Sequence, residues 1–202
     1  MINNILLPMR FFKLLPLIAV FPLIAGAVEN PDSPEGLNQA CNQNDYESCY
    51  VLGTLYSYGD GVPQDNFVAS RLIIKACEGE VYDACFTIGE MYRTGDKVPL
   101  NSTQGKEYMT MACDGGIMRA CSVVGTMYAT AEGTRKSMDM ALEYYKRACE
   151  GDDPFGCNFL GIMYEKAFGV LKNDKKAYEY YQKACDNNFT DSCESAQRLK
   201  KD

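Results

Sequence analysis

The chain has 202 residues, a formal net charge of −7 and no histidine. No basic run exceeds two residues, which disfavours nucleic acid as a partner. Without histidine there is no Ser-His-Asp triad, no Cys-His dyad and no histidine-ligated zinc hydrolase, and ten cysteines without a C-x-x-C argue against structural zinc.

Residues 1–27 read as a signal peptide. Arg10 and Lys13 form the positive region, 14–24 is apolar, and Ala25-Gly26-Ala27 supplies a small-residue cleavage pattern with Val28 as the mature N-terminus. Met9 is a second candidate start. The apolar stretch is short and broken by Pro16 and Pro22, so no retained membrane span is expected. No cysteine follows the cleavage position, which argues against a lipid anchor. The expected product is secreted or periplasmic, with a net charge near −9 once Arg10 and Lys13 are removed.

Residues 28–40 form an N-terminal cap segment, of which 30–40 align with the second half of a repeat's second helix. From there the cysteines keep a 36-residue ruler in two series. Cys41, Cys77, Cys113, Cys149 and Cys185 are each followed eight residues later by Cys49, Cys85, Cys121, Cys157 and Cys193. A fixed period of this size means a stacked repeat architecture. The full copies are 41–76, 77–112, 113–148 and 149–184, and 185–202 is a terminal half repeat with a polar outer face, as solubility requires of a cap.

Each copy predicts two helices. Helix A holds LGTLY (52–56), IGEMY (88–92), VGTMY (124–128) or LGIMY (160–164), with its apolar residues, glycine and tyrosine on one face. Gly53, Gly89, Gly125 and Gly161 lie mid-helix, where glycine costs about 1 kcal/mol against alanine, so a neighbouring backbone must press close. Helix B begins at an N-cap residue, Asp65, Asn101, Ser137 or Asn173. Its inner face carries Ala69, Gly105, Ala141 and Ala177, followed by the large pairs Leu72-Ile73, Tyr108-Met109, Tyr144-Tyr145 and Tyr180-Tyr181, which read as core. Gly79, Gly115, Gly151 and Asn187 are expected to supply a left-handed residue after helix B.

The first cysteine of each pair thus ends a helix B and the second opens the next helix A. Pairing Cys49 with Cys77 and onward would strand Cys41 and Cys193, whereas pairing each cysteine with the one eight residues on leaves none free. Each local bridge closes a nine-residue loop and contributes roughly 2.5 kcal/mol by chain entropy, which suits an oxidising compartment.

The L-G-x-x-Y stretch, the GDGVPQD loop (59–65) and the A-C-x-G boundary resemble the Sel1-like repeat, a relative of the tetratricopeptide repeat. With C-x7-C at every boundary and an export signal, the chain resembles the Helicobacter cysteine-rich protein family over about 33–202. Repeat 3 departs, with ATAEGTRKS (129–137) where repeat 1 has SYGDGVPQD (57–65). The resemblance implies an all-α, right-handed solenoid of Sel1-like helix pairs. It also implies two functions: binding a peptide or protein in a concave groove, or binding a β-lactam or cell-wall peptide with weak β-lactamase activity.

The residues favour binding over catalysis. Ser48, Ser57, Ser70, Ser102, Ser122, Ser137, Ser192 and Ser195 all lack a lysine three residues on, and S-D-N and K-T-G are absent. Neither a metal site nor a cofactor is expected. Glu90 and Asp83 are acidic residues that a groove could expose, and they read first as solvated helix charges. If helix A lines the concave side, as the resemblance implies, its exposed ridge is Glu47, Tyr50, Thr54 and Tyr58 in repeat 1. The following copies are Asp83, Phe86, Glu90 and Thr94, then Arg119, Ser122, Thr126 and Thr130, then Phe155, Asn158, Ile162 and Lys166. These positions vary while the packing positions do not, which is how a solenoid reads an extended ligand. Tyr50, Phe86 and Phe155 are the expected anchors, exposed enough for truncation to leave stability nearly unchanged.

Overall fold

The computed structural model describes residues 30–200, so the signal-peptide assignment on 1–27 and the cleavage at Val28 lie outside the described residues. Ten α-helices follow one another there: α1 (Pro34–Asn42), α2 (Tyr46–Tyr58), α3 (Asn66–Glu78), α4 (Tyr82–Thr94), α5 (Ser102–Asp114), α6 (Met118–Thr130), α7 (Met138–Glu150), α8 (Pro154–Lys166), α9 (Asp174–Asp186) and α10 (Thr190–Leu199). No strand occurs among the described residues. Helices α2, α4, α6, α8 and α10 are the A helices, and α3, α5, α7 and α9 are the B helices. Each packs against its chain neighbours, so the molecule is a solenoid of antiparallel hairpins.

The repeat chemistry sets the helix ends. Asp65, Asn101, Ser137 and Asn173 each accept a backbone N–H of the first turn, which satisfies a donor the helix leaves unpaired. The A helices end in left-handed residues, Gly59, Gly95, Ala131 and Ala167, each returning its N–H to the carbonyl four residues back. Two of these positions hold alanine, whose Cβ is disfavoured there.

The expected left-handed role of Gly79, Gly115, Gly151 and Asn187 is corrected. Their φ values are −88°, −78°, −86° and −91°. The left-handed residue is the next one, Glu80, Gly116, Asp152 or Asn188. The glycines have a steric reason instead. A Cβ on Gly79 or Gly115 would fall inside the ring of Tyr46 or Tyr82, and one on Gly151 would strike Met118. These three side chains begin the A helix of the preceding hairpin. In the fourth copy that helix begins with the compact Pro154, and the matching glycine is replaced by Asn187.

The mid-helix glycines allow the close approach that the sequence demands. A Cβ on Gly53 would lie 2.7 Å from Ile73 Cγ1, and on Gly161 2.6 Å from the Tyr181 ring. Between α4 and α5 both helices carry glycine, and a Cβ on Gly105 would meet Gly89 O at 3.0 Å. Ile73, Met109, Tyr145 and Tyr181 are buried, as the core reading requires. Tyr92–Tyr108, Tyr128–Tyr144 and Tyr164–Tyr180 stack with centroids 5.6–5.8 Å apart. Burial, followed by the facing tyrosine, raises the phenol pKa of Tyr108 and Tyr180.

Five disulfides join Cys41–Cys49, Cys77–Cys85, Cys113–Cys121, Cys149–Cys157 and Cys185–Cys193, one at each repeat boundary. A cation closes the helix end beside three of them. Lys75 Nζ donates to Cys41 O at 2.7 Å, Arg147 to Cys113 O at 2.7 Å and Lys183 Nζ to Cys149 O at 2.6 Å. Each places positive charge at the C-terminal end of a helix dipole. In repeat 2 the same position is Met111, which leaves Cys77 O without this contact.

Candidate functional site

The A helices lie side by side, and their variable ridge lines two pockets. The first, between α2 and α4, has a volume of about 550 Å³. Tyr50, Thr54, Tyr58, Phe86, Glu90 and Thr94 of the expected ridge line it, joined by Ser57, Met91, Asp96 and Lys97. The second spans α4, α6 and α8 and is smaller, about 190 Å³. Arg119, Ser122, Thr126 and Phe155 line it, with Arg93, Glu132 and Phe159. The remaining candidates are not brought in. Glu47 and Asp83 are exposed in the first turns of α2 and α4, Asn158 accepts a hydrogen bond from Ser192 at 2.8 Å, and Ile162 packs on the terminal core around Tyr181.

The three expected anchors are half-buried, which corrects the expectation that they stand exposed. Successive A helices cover one another's ridges. Tyr50 hydrogen-bonds Thr87 across the boundary at 2.9 Å and, with Phe86, packs on the main core. Phe155 lies between the Arg119 guanidinium, 3.4 Å above its ring centroid, and Phe189, edge-on at 4.9 Å. Truncating such a side chain removes packing as well as contact area.

Charged contacts cross from repeat to repeat. Arg93 holds Glu90 with two bonds, at 2.7 and 3.2 Å, and reaches Glu132 at 3.5 Å. The Glu90 carboxylate beside it raises the guanidinium pKa further. Lys97 donates to Ser57 Oγ at 2.8 Å and rests 3.8 Å above the Tyr58 ring centroid. This serine–lysine contact spans 40 residues, so the S-x-x-K spacing does not reveal it. The ammonium is the donor in this contact, and a nucleophilic serine needs a neighbour that accepts its proton. Among the described residues no group of three or more acidic or cysteine side chains is placed to hold a metal ion.

Two sequence signals could have found the missed residues. The position after the helix A tyrosine holds Ser57, Arg93, Ala129 and Glu165, which varies as much as the ridge does. Gly61, Gly133 and Gly169 share a left-handed loop position with Lys97, the one copy that accepts backbone strain there, at φ 65°.

These features define a class: an α-solenoid of 36-residue helical hairpins, stapled by a disulfide at every repeat boundary. The Sel1 repeat is matched four times, over 47–80, 83–117, 119–153 and 154–189, and the chain belongs to this family. Comparison with curated proteins gives no match. Among solved structures, a Sel1 repeat protein from Oxalobacter formigenes superposes with a TM-score of 0.71 at 25% identity, over 81% of this chain and 67% of its own. A protective antigen of uropathogenic Escherichia coli, c5321, gives 0.75 at 24% identity over 79% of this chain, which spans only 34% of that protein. Cysteine rich protein B of Helicobacter pylori gives 0.50 at 20% identity, over 67% of this chain and 98% of its own. The last two show a shared fold. No helix among the described residues is long and apolar enough to cross a membrane.

Proposed function

We propose that the protein is an exported, disulfide-stapled scaffold that binds an extended peptide segment of a partner along its A-helix ridge. The observation that carries this is the coincidence of two properties on one face: the ridge residues vary from copy to copy over a constant frame, and they line two successive pockets. Five disulfides require an oxidising compartment, which accords with cleavage of 1–27 and release of a chain starting at Val28. Repeats 41–76 to 149–184 form the frame, 28–40 and 185–202 its caps.

The test is selection of peptides from a random display library on the oxidised chain, followed by titration of the selected peptides. Binding should fall at least tenfold in Phe86→Leu or Thr54→Arg, variants that keep the fold, and stay unchanged in a variant of an exposed B-helix residue such as Glu143→Gln. Peptides that bind all three proteins equally would place recognition elsewhere. N-terminal sequencing of the extracytoplasmic protein should give Val28, and an unprocessed cytosolic chain would defeat the export reading.

A further inference from the structure

We propose that the smaller pocket is the seat for an acidic side chain of the bound peptide, held by Arg119; this rests on the groove reading above.

Arg119 stands in the first turn of α6 and is exposed. Its guanidinium carbon sits over the Phe155 ring, 3.4 Å from the centroid, and Phe189 meets that ring edge-on. A guanidinium packed against an aromatic ring keeps N–H donors that can take a carboxylate. The other cations along this face have partners: Arg93 has Glu90 and Glu132, Lys97 has Ser57 and Tyr58, and Lys166 and Arg198 meet at Glu165. Arg119 has no carboxylate partner among the described residues. Of the acidic groups around the pocket, Glu132 pairs with Arg93, and Asp153 is engaged by the Ser122 hydroxyl and the Gly156 N–H at the start of α8.

The pocket adds what the stem of an acidic side chain needs, an apolar wall of Val123, Met127 and Phe159. The Ser122 and Thr126 hydroxyls already donate to Asp153 and to Ser122 O, so the head group relies on Arg119. Its 190 Å³ suits one side chain. A helices continue on both sides of it, α2 before and α10 after, so a chain lying along the ridge passes this point rather than ending there. That favours an Asp or Glu side chain over a C-terminal carboxylate. Neighbouring helices stand about 10 Å apart and an extended chain rises about 3.3 Å per residue, so one repeat spans about three peptide residues. An apolar residue seated between Tyr50 and Phe86 would therefore stand about three to six residues from the acid.

The test uses arrays of random decapeptides blocked at both ends, probed with the oxidised chain. Asp or Glu should be enriched over Asn and Gln at one position, three to six residues from an apolar one. Replacing that Glu by Gln in the best peptide should weaken binding about tenfold, as one charge-assisted pair in a partly solvated place would. Arg119→Gln should weaken the Glu peptide about tenfold and leave the Gln peptide unchanged. The peptide substitution is read on the native protein, so it stands even if Arg119→Gln disturbs Phe155. Four outcomes overturn the proposal. Peptides that bind without an acid preference, or that lose affinity equally for Glu and Gln in Arg119→Gln, leave the groove reading intact and reduce Arg119 to a packing role. Binding confined to a parallel array whose C-termini are left free makes the occupant a chain end. Arrays that bind nowhere defeat the groove reading too.

Discussion

Glu165→Gln tests whether one buried carboxylate locks the C-terminal end of the solenoid. Glu165 is 8% exposed and ties three helices together. Arg198 of α10 donates to Oε2 at 3.0 Å, Tyr181 of α9 donates to the same oxygen at 2.8 Å, and Lys166 donates to Oε1 at 2.7 Å. Arg198 first, then Lys166 and Tyr181, hold the carboxyl pKa down at about 2 against its ordinary 4.5, with burial opposing them. At about 1.4 kcal/mol per pH unit that difference is worth about 3 kcal/mol. The two cations are half exposed, and solvent screening reduces this to about 2 kcal/mol.

The direction with pH follows from proton binding. Between pH 4.5 and 2 the unfolded chain holds a proton on this group and the native chain does not, so stability from Glu165 is complete above about pH 4.5 and lost as pH falls through about 2. Glutamine keeps the shape and one acceptor but has no charge to titrate. Amide exchange in α10, with disulfides intact, should show the native chain protected by about 2 kcal/mol more than Glu165→Gln at pH 7, and the gap should close near pH 2. Exchange needs correction for its intrinsic pH dependence, or urea unfolding at fixed pH can replace it. A gap of the same size at pH 2.5 and pH 7 would refute the reasoning, because the difference would then be packing rather than charge.

Gly115→Ala should destabilise by about 2 kcal/mol in thermal or urea unfolding, since its Cβ would enter the Tyr82 ring; Tyr82→Ser in the same chain should recover much of the loss, and strictly additive effects would disprove the contact. Met111→Lys should raise stability by about 0.5 to 1 kcal/mol by supplying the cation that repeat 2 lacks at Cys77 O, an effect that must shrink in high salt. Ala131→Gly and Ala167→Gly should each stabilise by about 0.5 to 1 kcal/mol, because φ values of 64° and 59° cost alanine more than the extra chain entropy of glycine; unchanged or lower unfolding midpoints would count against strain at these helix ends.

The sequence by itself determined whatever repeats. A 36-residue ruler placed the helices, their N-caps at Asp65, Asn101, Ser137 and Asn173, the close-packing glycines of helix A and the local disulfides. Each of these belongs to one unit or one boundary, and the same local rule applies at every copy. It also exposed Asn187 as a departure, but not its meaning. Gly79, Gly115 and Gly151 looked like turn residues, and only the packed hairpins showed that the rings of Tyr46 and Tyr82 and the Met118 side chain occupy the space a Cβ would need. Tertiary structure alone decided the geometry of the candidate site. Helical phase put Tyr50, Phe86 and Phe155 on one ridge, yet the packing of neighbouring A helices buried them halfway. Lys97 reaches Ser57, Arg93 reaches Glu132 and Arg119 covers Phe155 because long side chains span the gap between repeats. Contacts of that kind depend on interhelix spacing and side-chain reach, which no single repeat encodes.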